Sequence, residues 1–332
     1  MKHSQTFYKK RTDIRLLFAF AVLFFAAAFV CSILFGSTKL DFSSLFDGVH
    51  KKIFLYVRLP RTLACMTAGA GLAVSGAMIQ AVLANRLASP SLIGVNAGAG
   101  LAITLCTALG VFGGWQASLF SFLGAFGAVV LVAFASRKFG ASKGTLILMG
   151  VALNSFLNAL SSAVVTLNPD VGVLSNDFKV GDFSAVTYAK LIPASVITLL
   201  ALLISFSLAN MLDVMTLGED NAAGLGVNVQ AARTLFLLLA ALLAGAAVSI
   251  AGLLSFVGLV VPHAVRRMGA SANAHVLPLS ALFGAGFVAL CDLVARTAFA
   301  PYEIPVGVIM AFIGAPFFIL LLIKGKGVRN LD

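Results

Sequence analysis

Runs of about twenty apolar residues recur along this chain, each closed by a short polar or basic stretch. That repetition decides most of what the chain can fold into. A bilayer core of about 30 Å is crossed by roughly 20 helical residues, and in lipid the backbone must satisfy its own hydrogen bonds. Over 332 residues the chain is 60% hydrophobic and 11% charged, with a mean hydropathy of +1.04. No soluble domain of this length buries so much apolar surface, so the sequence predicts an all-α polytopic membrane protein forming a single transmembrane domain over 1–332.

The runs place spans at about 14–36, 61–84, 92–112, 115–135, 144–167 and 188–210. A pair lies within 234–265, and further spans at 276–297 and 306–323 bring the total to ten. Pro60 suits the start of the second. The first span follows Lys2, Lys9, Lys10, Arg11 and Arg15 and is long enough to cross, so it reads as uncleaved. The net charge of +11 is scattered in short clusters between spans. With both termini cytoplasmic, fifteen of the 23 Lys and Arg residues fall on the inner side, as the positive-inside rule asks. Cys31, Cys65, Cys106 and Cys291 all lie within apolar runs and form no C-x-x-C pair, so packing is their expected role. The four histidines are dispersed, and no metal site is expected.

Between Arg233 and the pair Arg266-Arg267 the chain must leave the inner side and return within 32 residues. Two full crossings need about 40 at ~1.5 Å per residue. One limb is therefore short or re-entrant, with Gly252, Gly258 and Pro262 as expected breaks. A faint repeat, Ala73-Val-Ser75 and Ala247-Val-Ser249, hints at two related halves.

The long internal polar stretch, 213–233, carries helix punctuation. Thr216 and Glu219 have capping-box spacing. Glu219 and Asp220 suit a first helical turn, Gly224 and Gly226 a stop, and Asn228 the cap of a second short helix running to Arg233. Two short helices between spans suit docking of another protein, although an ordinary polar connector fits the same residues.

No phosphate-binding G-x-x-x-x-G-K-[ST] loop, zinc-protease helix or nucleophile elbow is present, so no catalytic residues are expected. The one acid inside a span, Asp292, has Arg296 a helical turn away and reads either as half of a neutral pair or as the coupling acid of a stand-alone, ion-driven secondary transporter. Asn154, Asn158 and Ser161 share a face of the fifth span, as interhelical glue or as the wall of a translocation path. Arg58, Arg61, Arg296 and Glu303 lie near outer span ends, anchoring helices or presenting a basic surface to acidic groups of a docking protein.

Several stretches together resemble one family: Arg58-Leu-Pro-Arg61, Gly71-Leu-Ala-Val-Ser-Gly76 with Gln80, Asn85-x-Leu-Ala-x-Pro90, Leu217-Gly-Glu219 leading to Leu225-Gly226-Val, Ser255-Phe-Val-Gly-Leu-Val-Val-Pro-His263, Asp292-x-x-Ala-Arg296, Glu303-Ile-Pro-Val-Gly307 and Ile313-Gly-Ala-Pro-Phe317. In order from 58 to about 320, they resemble the permease subunit of bacterial ABC importers for iron–siderophore complexes, haem and cobalamin, the FecCD-type permeases.

The resemblance implies ten helices per subunit and a dimer of permeases, identical or not, in the bacterial inner membrane. Two cytosolic ATP-binding subunits would bind 213–233 through Leu217, Gly218, Glu219, Ala222, Leu225 and Gly226. They would perform all ATP hydrolysis, leaving this chain without catalysis, cofactor or nucleic acid. An extracytoplasmic binding protein would dock on Arg58, Arg61 and Arg296. The path would run at the dimer interface along Asn154, Asn158 and Ser161. The implied cargo is an iron chelate, a siderophore ahead of haem or cobalamin. One segment departs from the pattern: where the family carries an aromatic-rich stretch with Trp, this chain reads Asn176-Asp-Phe-Lys-Val-Gly-Asp-Phe183.

Overall fold

The computed structural model describes residues 13–36, 48–140 and 142–326, and among them every regular element is helical. In chain order these are α1 (Ile14–Leu34), α2 (Gly48–Ile53), α3 (Leu59–Val82), α4 (Val95–Ala108), α5 (Gly114–Lys138), α6 (Lys143–Leu167), α7 (Pro169–Leu174) and α8 (Asn176–Val180). There follow α9 (Tyr188–Ser207), α10 (Ala209–Thr216), α11 (Glu219–Gly224), α12 (Val229–Ala251), α13 (Val257–Arg267), α14 (Asn273–Thr297) and α15 (Val306–Lys326). Among the described residues, seven helical segments are long and apolar enough to cross a membrane: α1, α2–α3 taken together, α5, α6, α9, α12 and α14. The shorter apolar α4 and α15, with α13, fall where the other expected spans lie. The chain is thus a multi-pass helical membrane protein.

The centre is α3, buried over most of its surface apart from a stripe through Leu63, Thr67 and Ala70, with α12 and α14 as its main neighbours. Pro60 is the second residue of α3, yet no new helix begins there. The helix is continuous from His50 to Val82, and residues Phe54–Arg58 form one π turn just before Pro60. Proline has no N–H to offer residue 56, and its ring crowds that carbonyl; a wider turn relieves both.

The short return limb is α13, eleven residues or about 16 Å long against about 34 Å for α12. Only Gly252 of the three expected breaks lies at the interruption, with φ 72°. Gly258 and Pro262 sit inside α13, and each has a different job. A Cβ on Gly76 of α3 would lie 1.9 Å from the Gly258 carbonyl oxygen, so the two backbones meet directly. That carbonyl would normally accept from residue 262, which as proline has no N–H. Gln80 of α3 supplies the donor instead, Nε2 to Gly258 O at 3.2 Å.

The interruption itself is covered by 176–183, the stretch that departs from the family pattern. Leu253 N donates to Phe178 O at 2.9 Å, Asp182 N to Ala251 O at 2.8 Å, and Gly307 N to Gly181 O at 3.2 Å. Phe183 is wholly buried beside them. Irregular backbone at this depth is tolerable because protein covers it. The two Ala-Val-Ser triplets fall on α3 and α12, but their serines differ in role: Ser75 donates to Ala240 O across the helix pair, Ser249 to Ala246 O within its own helix. All four cysteines are unpaired thiols, three of them buried.

Candidate functional site

The polar stretch folds as α10 and α11, but not with the expected capping. Thr216 Oγ1 donates to Asp213 O at 2.7 Å, at the end of α10, and Gly218 occupies the cap position of α11 at φ 105°, ψ 159°. No L side chain adopts that backbone easily, so the chain turns before Glu219, which becomes the first residue of α11 rather than its third. Asn228 does cap, accepting from Ala231 N at 3.0 Å, but what it opens is the full length of α12 rather than a second short helix.

Two anchors fix this element to the bundle. Asp213 Oδ1 accepts from the backbone N and side-chain Nδ2 of Asn273, each at 2.8 Å, and Arg266 donates to Asn273 Oδ1 at 2.9 Å, which ties α10 to α13 and α14. Glu219 pairs with Arg233 at 2.5 Å and approaches Lys143 at 3.7 Å, joining α11 to α12 and α6. Ala222 is buried beneath, whereas Leu217 and Leu225 are 58% and 64% exposed on either side of the acid. An exposed pair of leucines around a fixed carboxylate is suited to a protein contact.

At the opposite end of the bundle Arg58, Arg61 and Arg296 do not form an exposed basic surface. Arg58, Arg61 and Arg296 are 3%, 7% and 4% exposed, because each is engaged inside this chain. The last four carbonyls of a helix have no intrahelical donor, and those of α1 are all supplied. Phe35 N donates to Cys31 O at 3.0 Å, Arg296 to Ser32 O, and Arg58 to Ile33 O and Leu34 O at 2.9 and 2.8 Å. Asp292, fully buried, lies 2.9 Å from Arg61 Nη2 and 3.4 Å from Arg296 Nε. Arg61 Nη1 reaches the partly exposed Glu303 at 2.7 Å. The Asp292–Arg296 pair was readable from its helical spacing. Arg61 as the closer partner was not, since nothing local links residues on α3 and α14.

Asn154, Asn158 and Ser161 of α6 do not face the same surroundings. Asn154 Nδ2 donates to Ser91 O and Leu92 O at 2.9 and 3.2 Å, holding the 3-10 turn Pro90–Ile93, and Ser161 bonds Thr104 of α4 at 2.9 Å. Both therefore face into the chain. Of the expected wall only Asn158 is exposed, and Ser155, Ser162 and Thr166 are exposed on the same side of the helix. No group of three or more His, Cys, Asp or Glu side chains able to hold a metal occurs among the described residues.

The FecCD transport family matches residues 23–324. The chain belongs to that family. It is 33% identical to the Fe(3+)-citrate import system permease protein of Bacillus subtilis (strain 168), covering 97% of this chain and 98% of that one. It is 31% identical to the hemin transport system permease protein of Yersinia pestis, covering 96% and 99%. A solved inward-facing structure of a putative metal-chelate type ABC transporter superposes with a TM-score of 0.85 at 32% identity over 93% of this chain and 99% of the other. This FecCD-family chain is thus a permease subunit of an ABC importer, and Asp292, sealed between two arginines, gives no support to a stand-alone ion-coupled carrier.

Proposed function

We propose that this permease carries an iron chelate, a siderophore in the first instance, across a bacterial inner membrane, with haem or cobalamin as the other cargoes its relatives suggest. It works with a second permease, two cytosolic ATP-binding subunits and an extracytoplasmic binding protein. The observation that carries the reading is the α10–α11 element. Its exposed leucines and anchored carboxylate are built to take force from outside and pass it to α12, α13 and α14. ATP-driven movement of the docked subunits then tilts these helices and reopens a path along the exposed face of α6, a transition between two packed states. On the outer side, Glu303 at 36% exposure is the point where a carboxylate of the binding protein can exchange onto Arg61, so the docking role of Arg58, Arg61 and Arg296 acts through their network.

The test is ATP-dependent accumulation of a radiolabelled ferric siderophore by liposomes holding this chain, its genomically adjacent ATPase and the adjacent binding protein. Proton-driven accumulation without the ATPase would overturn the reading. Within that assay, Glu219→Arg places a third cation between Arg233 and Lys143 and should abolish uptake while ATP hydrolysis persists. Retained uptake would remove α11 as the coupling element.

A further inference from the structure

A cavity of about 250 Å³ opens at the end of the bundle opposite α10 and α11, between the α4–α5 turn, the stretch 176–185 and the first turn of α9. The departing segment 176–183 contributes Asp177, Phe178 and Asp182 to its wall. Asp182 accepts from Ser184, and among the described residues no cation lies within 4 Å of either carboxylate. Lys190, in the same lining, donates to Ala185 O at 3.2 Å instead of pairing with them. The lining therefore carries two negative charges and one positive, an excess of one negative charge. Deeper in, Thr107 is 8% exposed and lines the cavity, and its hydroxyl has no hydrogen-bond partner among the described residues. Ile103, Val111 and Phe178 give the remaining wall an apolar character.

We infer that this cavity receives one basic side chain, arginine or lysine, of the extracytoplasmic binding protein, an inference that rests on the importer reading above. Size, charge and wall agree. Ligand pockets for whole small molecules run from about 300 Å³ upward, so the space suits a side chain better than a chelate. A bare metal ion would need more ligating groups than two carboxylates and would not need the apolar wall. A long basic side chain lays its aliphatic stem on apolar surface and delivers its charge beyond it, here to Asp177, Asp182 and the Thr107 hydroxyl. The segment that departs from the family pattern thus sets which binding protein is accepted.

The experiment is titration of the permease–ATPase complex in nanodiscs with the binding protein encoded beside it. The double variant D177N/D182N should bind about tenfold more weakly, the order expected for losing a partly desolvated charge contact. The wild-type advantage should shrink at high ionic strength. Lys190→Gln removes the internal positive charge and should tighten binding, which keeps the inference testable if the double variant folds poorly. Wild-type binding with both variants unchanged would overturn this inference alone. Wild-type complex that does not bind that protein at all would overturn the importer reading and this inference with it.

Discussion

Asp292 and Gln80 show how single residues hold an irregular bundle together in lipid. Asp292 neutralises Arg61 and Arg296, and Arg296 also helps close the end of α1, so removal of the acid leaves buried positive charge. Breaking a buried pair from one side costs about 3–5 kcal/mol. Glu303 touches the same Arg61 from a position 36% exposed, where ion pairs are worth roughly 0–1 kcal/mol. We therefore expect Asp292→Ala to lower the detergent-solubilised melting temperature sharply and Glu303→Gln to lower it little. Equal shifts would show that Asp292 is not the keystone of the network. The sequence disclosed the Asp292–Arg296 half of this arrangement through helical spacing. Arg61 and the carbonyls of α1 come together only through packing, which no local pattern encodes.

At the scale of elements, α13 is the part whose length was forced by arithmetic and whose internal construction was not readable. Thirty-two residues could not make two full crossings, and the structure resolves this with an eleven-residue limb. The expectation that Pro262 would break the helix failed because Gln80, far away in sequence, supplies the donor that the proline lacks. This account makes a coupled prediction. Gln80→Leu should destabilise by about 1 kcal/mol, in the range found for hydrogen bonds between membrane helices. Pro262→Ala restores an N–H able to reach the Gly258 carbonyl, so in that background Gln80→Leu should cost measurably less. Unfolding of the four proteins of this double-mutant cycle checks it, and additive losses would mean that Gln80 and Pro262 are unrelated. The same contrast explains the coupling element. Asn228 was legible as a cap because capping is local, whereas Thr216 lost its expected role to a glycine whose backbone turns the chain earlier.

For the whole molecule, the helices are unequally shielded, and α6 is the clearest case. Only 17% of its most apolar window is buried, against 83% for the α2–α3 segment at the centre. Its exposed side carries Ser155, Asn158, Ser162 and Thr166. Asparagine turned toward hydrocarbon is costly, and polar side chains within spans as a rule face protein or water. A second permease packed across this face would take Asn158 out of hydrocarbon and would enclose a polar path between the subunits. The outward side of α9, which presents Ile192, Val196, Leu199 and Leu203, has the composition of a surface left to lipid. Cysteines placed on these two faces should then behave differently. In a background with Cys31→Ser, the other three native thiols being buried, Asn158→Cys should form an oxidative cross-link in native membranes that runs on a denaturing gel with a second permease subunit. Leu199→Cys should stay monomeric under the same oxidant. A cross-link at Leu199 with none at Asn158 would move the permease interface to the other side of the bundle, and the path along α6 would go with it.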